Sequence, residues 1–95
     1  GRKLLAGTGT ATVDFGSTPV AEASVVVTDA SVTSSAYVEA FVMIDSTTDN
    51  DTGDHQHAAA SWKLACEPGA GNFTLYVTAL MDLFWGTFKI RYVWA

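Results

Sequence analysis

The segment Gly86-Thr87-Phe88-Lys89-Ile90-Arg91-Tyr92-Val93-Trp94 constrains the fold more than any other. Phe88, Ile90, Tyr92 and Trp94 fall on one side of a period-two alternation; Thr87, Lys89, Arg91 and Val93 fall on the other. Successive side chains of a strand point to opposite faces, so this is a half-buried strand with an aromatic inner face. A strand of this kind must be locked into a sheet, because an unpaired one frays or aggregates. The expected module is all-β.

Five further strand-like segments precede it, separated by Gly, Pro, Asn, Asp and Ser clusters, and no helix is expected. They lie near residues 10–15, 23–28, 36–45, 62–66 and 73–79. Antiparallel strands at this spacing read as a β-sandwich, jelly-roll-like, with about six to seven strands. Residues 10–95 form one domain, and residues 1–9, with Gly1, Gly7 and Gly9, read as a linker from an upstream region. The run Glu67-Pro68-Gly69-Ala70-Gly71-Asn72 is a turn cluster too long for a two-residue hairpin.

Two segments depart from a simple sandwich pattern. In the third strand Val38, Ala40, Val42 and Ile44 form one face and Tyr37, Glu39, Phe41 and Met43 the other, so both are substantially apolar. A two-layer sandwich covers only one of them, and another subunit is expected on the second. The connector Leu80-Met81-Asp82-Leu83-Phe84-Trp85 is also unusually apolar for a solvated loop and is expected to be buried or interfacial.

Composition agrees with assembly. A chain of 95 residues buries only about 60–65% of its unfolded surface, so its stability needs a supplement. Cys66 is the only cysteine, which excludes an internal disulfide and leaves a small buried hydrophobe as its simplest reading. Charged residues make up 16% of the chain, below the usual quarter or so. A homo-oligomer, most simply a homotrimer, is expected, with Tyr37, Phe41, Met43, Leu83, Phe84 and Trp85 at the interface. The net charge of −5 opposes nucleic acid and anionic membranes, and no apolar run approaches the roughly 18–20 residues that span a bilayer.

Residues 46–57 read as a polar, acidic loop and hold the main cluster of potential ligands. Its oxygen donors suit Ca²⁺, but no Glu closes the loop at the EF-hand position. His55-Gln56-His57 is sharper. In an extended segment both imidazoles project from one face, and three such pairs around a three-fold axis would complete an octahedral transition-metal site. The competing reading is two exposed histidines at a loop end. Asp49, Asp51 and Asp54, with Asn72 in the turn cluster, are candidate binding residues, since loops carry recognition on rigid β-scaffolds.

Catalysis has weak support. Cys66 with His55 or His57 supplies the residue types of a thiol hydrolase, but an apolar neighbourhood raises a thiol's pKa. No serine sits in a nucleophile elbow, and Glu39 with Asp45 reads as a solvated or interfacial pair. Trp62 and Trp94 are assigned to the core and Trp85 to the surface.

From Gly9 to Trp94 the chain resembles the C-terminal β-rich domain of virion proteins from tailed bacteriophages and prophages, of tail-fibre, tail-tip or capsid-decoration type. The resemblance rests on Gly9-Thr10-Ala11-Thr12-Val13-Asp14-Phe15-Gly16, Ala23-Ser24-Val25-Val26-Val27-Thr28, Val38-Glu39-Ala40-Phe41 with the Asp/His-rich loop after it, and the final strand. Members of that group carry Asp-His and Glu-His pairs in the loop. Here the first is Asp49-Asn50 and the second Asp54-His55, with His57 in addition. The resemblance implies a non-enzymatic structural or attachment module of the virion, often trimeric. Its partners would be copies of itself, other virion proteins and a host surface glycan or protein. The alternative, of a different class, is a carbohydrate-binding module appended to an upstream catalytic domain.

Overall fold

The computed structural model describes residues 7–95. Six strands and one helix follow in the order β1 (Gly7–Asp14), β2 (Glu22–Thr28), β3 (Val38–Val42), α1 (Thr52–Ser61), β4 (Trp62–Gly69), β5 (Asn72–Ala79) and β6 (Thr87–Trp94). They form two three-stranded antiparallel sheets, β1-β6-β3 and β2-β5-β4. Only β4 and β5 are joined as a hairpin within one sheet; every other connection crosses between sheets. This is the alternating winding of a jelly roll with one hairpin fewer. The expected antiparallel β-sandwich is the observed fold.

The core lies between the two central strands. Phe73, Leu75 and Val77 of β5 face Phe88, Ile90 and Tyr92 of β6, and all six are buried. At one end Trp62 anchors an aromatic cluster, its ring 5.0 Å from Phe15, 4.9 Å from Phe88 and 5.4 Å from Phe84. Burying each large side chain of this kind contributes about 1.5–3 kcal/mol. Phe73 and Tyr92 pack edge-on near the other end, with centroids 4.7 Å apart.

Several sequence expectations give way to the packing. Gly7, Thr8 and Gly9 belong to β1 rather than to a linker, whose residues 1–6 lie outside the described residues. The reason lies across the ladder. The indole of Trp94 covers Gly7 and the phenol of Tyr92 covers Gly9, and a Cβ at Gly7 would stand 2.5 Å from the indole. Glycine here makes room for the aromatic face of β6. The 67–72 cluster is a tight hairpin: Gly69 pairs with Asn72, leaving only Ala70 and Gly71, and Gly71 takes the positive φ (78°) that closes it. Pro68 is tolerated inside β4 because β4 is an edge strand.

β3 is shorter than expected, ending at Val42, although the Met43 N–H still reaches the Lys89 carbonyl. Beyond it the hydroxyl of Thr47 donates to the Thr87 carbonyl and turns the chain off the sheet edge.

The larger correction is α1, where an open loop was expected. Asp51 caps it: its carboxylate accepts the Asp54 N–H (2.8 Å) while the Asp54 carboxylate accepts the Asp51 N–H (2.9 Å). This reciprocal capping box satisfies two donors that a helix start leaves free. Ala58, Ala59 and Ala60 then propagate the helix, alanine being its best former.

Candidate functional site

One end of the sandwich gathers α1, the connector 80–86 and the start of β6, and most of the chemically interesting side chains with them. Asp49 accepts both the backbone N–H of Thr87 (2.9 Å) and its hydroxyl (2.8 Å). Asn50 is buried and donates from its amide to the carbonyls of Trp85 (3.0 Å) and Thr87 (2.9 Å). Asp51 and Asp54 are committed to the helix cap. Three of the four candidate binding residues, Asp49, Asp51 and Asp54, therefore share this end, and each already serves the local structure.

Asn72 is elsewhere. It opens β5 at the hairpin, while α1 enters β4 at the opposite end of that strand, with Leu80 N–H bonded to the Ser61 carbonyl. The hairpin end packs against residues 29–32 through Asp29 N–H to the Gly71 carbonyl and Gly71 N–H to the Val32 carbonyl. The eight residues of β4 keep the two candidate loops apart, about 3.3 Å per residue.

The two histidines do not share a face. Successive helical residues turn by about 100°, so positions two apart point in nearly opposite directions. His55 is fully buried, its ring 5.0 Å from Phe88. Its Nε2 accepts the backbone N–H of Lys89 at 3.0 Å, which leaves Nδ1 as the N–H that donates to the Asp51 carbonyl at 2.9 Å. Both ring nitrogens are occupied. His57 is exposed and pairs with Asp82 at 2.7 Å. The extended His-x-His geometry that a shared metal requires is replaced by a helix, and no cluster of three or more His, Cys, Asp or Glu suited to a metal occurs among the described residues.

Between α1 and the connector lies a cavity of about 170 Å³, whose lining includes Asn50, Asp54, His57, Asp82, Leu83 and Trp85. Leu80, Met81, Leu83 and Trp85 are exposed, Leu83 at 62% and Trp85 at 46%. Phe84 is the exception. It is 7% exposed and packs against Trp62 and Phe88, so it belongs to the core and not to an interface. Alternation places it inward: its N–H and carbonyl form a bridge with Val20 that tucks the connector onto the sandwich.

The second apolar surface lies on the outer face of the β1-β6-β3 sheet. Tyr37 and Phe41 are exposed there, Phe41 at 44%, and Met43 is half-buried. Across the sheet Phe41 and Thr10 flank Arg91. Glu39 accepts the Tyr37 hydroxyl at 3.0 Å, and Asp45 pairs with Lys89 at 3.4 Å, so the two carboxylates are separately engaged. On the other sheet Cys66 is half-buried, and burial, aided by the Glu39 charge, pushes its thiol up to about 11.

No family model, curated protein or solved structure matches the chain.

Proposed function

We propose that this chain is a non-enzymatic structural module of a bacteriophage virion, of tail-fibre, tail-tip or decoration type, that assembles with copies of itself and presents its α1 end to a partner surface. The observation that carries the reading is the exposure of Leu80, Met81, Leu83 and Trp85 on a connector tied to the sandwich by the Leu80 N–H to the Ser61 carbonyl, the Val20–Phe84 bridge and the Asn50 amide to the Trp85 carbonyl. Exposed apolar side chains on a scaffold this firmly tied suit recognition of a preformed surface. A non-catalytic role is supported by the chemistry of the candidate groups. The Cys66 thiol is protonated at neutral pH, and the His55 ring has no free nitrogen to act as a base.

A host-surface or virion partner is tested by adsorption of the isolated domain to host cells and to particles lacking it. Leu83→Ser with Trp85→Ala is expected to abolish binding to one of the two while leaving the far-ultraviolet dichroism unchanged. Binding that survives both substitutions, or none by the native domain to either target, removes this reading.

The carbohydrate-module reading is favoured by one specific feature. The exposed Trp85 lies beside the carboxylates of Asp54 and Asp82, a hydrophobic ring next to hydroxyl acceptors. Calorimetric titration with neutral oligosaccharides separates it, since only this reading expects a saturable heat that Trp85→Ala removes.

A further inference from the structure

The register of the first sheet fixes which backbone groups of β1 face away from the protein. Tyr37 and Ala95 exchange both N–H···O bonds, and the Met43 N–H meets the Lys89 carbonyl. Odd-numbered residues of β6 therefore bond to β3, and even-numbered ones bond to β1. Phe15 N–H bonded to the Gly86 carbonyl continues the same parity. On β1 it follows that Gly7, Gly9, Ala11 and Val13 bond inward. Thr8, Thr10 and Thr12 turn their N–H and C=O groups to the outer edge, where no strand among the described residues pairs with them. Their side chains are exposed on the outer face.

Open edges are usually blunted by a charge, a proline, a bulge or shortness. The β4 edge carries Pro68, whose missing N–H lies on the open side. The β3 strand is five residues long and includes Glu39. The β2 edge presents Glu22 among its outward-bonding residues. β1 has eight residues paired without interruption to β6, no proline and no charge before Asp14. In a chain of net charge −5 it is the described edge best suited to a second copy, because pairing there would place no like charges opposite one another.

The same stretch is palindromic in shape about its centre: Thr8-Gly9-Thr10-Ala11-Thr12 reads threonine, small, threonine, small, threonine in either direction. We infer that β1 is a self-pairing edge, joining the β1 strands of two copies antiparallel about a two-fold axis at Thr10 and making one continuous sheet across both. In that register Thr10 faces the partner's Thr10, and Thr8 faces the partner's Thr12. Each pair exchanges both backbone bonds, and threonine stands across from threonine on the outer face. Cross-strand threonine pairs are favourable, and a two-fold interface must be self-complementary in just this sense.

The inference goes beyond the virion reading, because it fixes one contact and its symmetry whatever the module's location. The test uses the whole domain and the residue on the axis. Thr10→Lys and Thr10→Glu each set like charges face to face while leaving the β1–β6 ladder intact. Light scattering should report a dimer for the native domain, a monomer for either variant alone, and a dimer again when the two variants are mixed. Near-ultraviolet dichroism from the buried aromatic cluster verifies folding, and Thr10→Pro, which removes the outward N–H, should behave as the single-charge variants do. A native monomer, or an oligomer that the Thr10 variants leave unchanged, overturns the pairing. A trimer unaffected by them overturns it while leaving the virion reading in place.

Discussion

His55 Nε2 accepts the backbone N–H of Lys89 at 3.0 Å, and through this bond a helix side chain takes the place of a neighbouring strand. Lys89 lies where β3 has left the ladder, and the imidazole fills the gap with its other nitrogen anchored on the Asp51 carbonyl. The ring is thus a fastener between the helix cap and the central strand of the first sheet. His55→Ala should cost about 3 kcal/mol, from the cavity beside Phe88 and from the orphaned Lys89 N–H, the Asp51 carbonyl keeping the backbone N–H of residue 55. Urea denaturation checks the figure. A loss below about 1 kcal/mol would mean that water replaces the ring without penalty.

The helix cap gives a smaller, separable effect. Asp51→Ala removes the acceptor of the Asp54 N–H and should lower stability by about 1 kcal/mol, whereas Asp51→Asn should be nearly silent. Equal losses from both substitutions would point to charge rather than capping as the source.

The strands were legible because their signal is local. Alternation in residues 87–94 and 72–79 identifies an inner face without knowledge of any partner, and the buried residues fall on that face. The helix was hidden by its composition. Asp, Asn, Thr and Gly in residues 49–54 read as a loop, yet the same Asp51 and Asp54, three apart and followed by three alanines, carry the capping-box signature. Reading that signature would also have separated His55 from His57. Phe84 and Gly7 were illegible for another reason. Whether a connector residue turns inward, or a glycine lies beneath an aromatic ring, depends on a partner distant in sequence: Val20 for Phe84 and Trp94 for Gly7.

The Tyr92 hydroxyl donates to Asp29 at 2.7 Å and makes stability depend on pH at both extremes. This bond, followed by the Ser31 backbone N–H, holds the Asp29 carboxyl below its ordinary 3.8; burial and then Asp29 push Tyr92 from 10.0 up to about 12. A lowered carboxyl stabilises the fold above its ordinary value, and this is lost as pH falls through the lowered one. A raised phenol stabilises it below its ordinary value, and this is lost as pH climbs toward about 12. The melting-temperature gap between the native domain and Tyr92→Phe should be widest at neutral pH and should narrow in acid below 3.8 and in alkali above 10.0. A gap independent of pH would show that the lost bond is not coupled to either ionisation.

Cys66 should be a poor nucleophile. With its thiol pushed up to about 11 and half-buried, labelling by a disulfide reagent at neutral pH should be far slower than for an unhindered thiol in the urea-unfolded chain. Comparable rates in the two states would reopen a thiol-based activity.

Gly86 and Gly16 offer a paired test of what fixes the α1 end. Both have positive φ, 76° and 84°, and the Gly86 N–H bonds to the Gly16 carbonyl at 2.8 Å. They differ in surroundings. A Cβ on Gly16 meets nothing within 4 Å, while one on Gly86 would stand 2.6 Å from the Asp49 Cβ. Gly16→Ala should therefore cost only the left-handed conformation, about 1–2 kcal/mol. Gly86→Ala should cost more, because Asp49 must withdraw from Thr87 and loosen the segment that presents Trp85. Replacing Asp49 by glycine removes the clashing atom, so Gly86→Ala made in an Asp49→Gly background should cost no more than Gly16→Ala. If Gly86→Ala is equally costly with and without Asp49, conformation alone governs this turn, and the Asp49–Thr87 contact does not set the geometry of the exposed end.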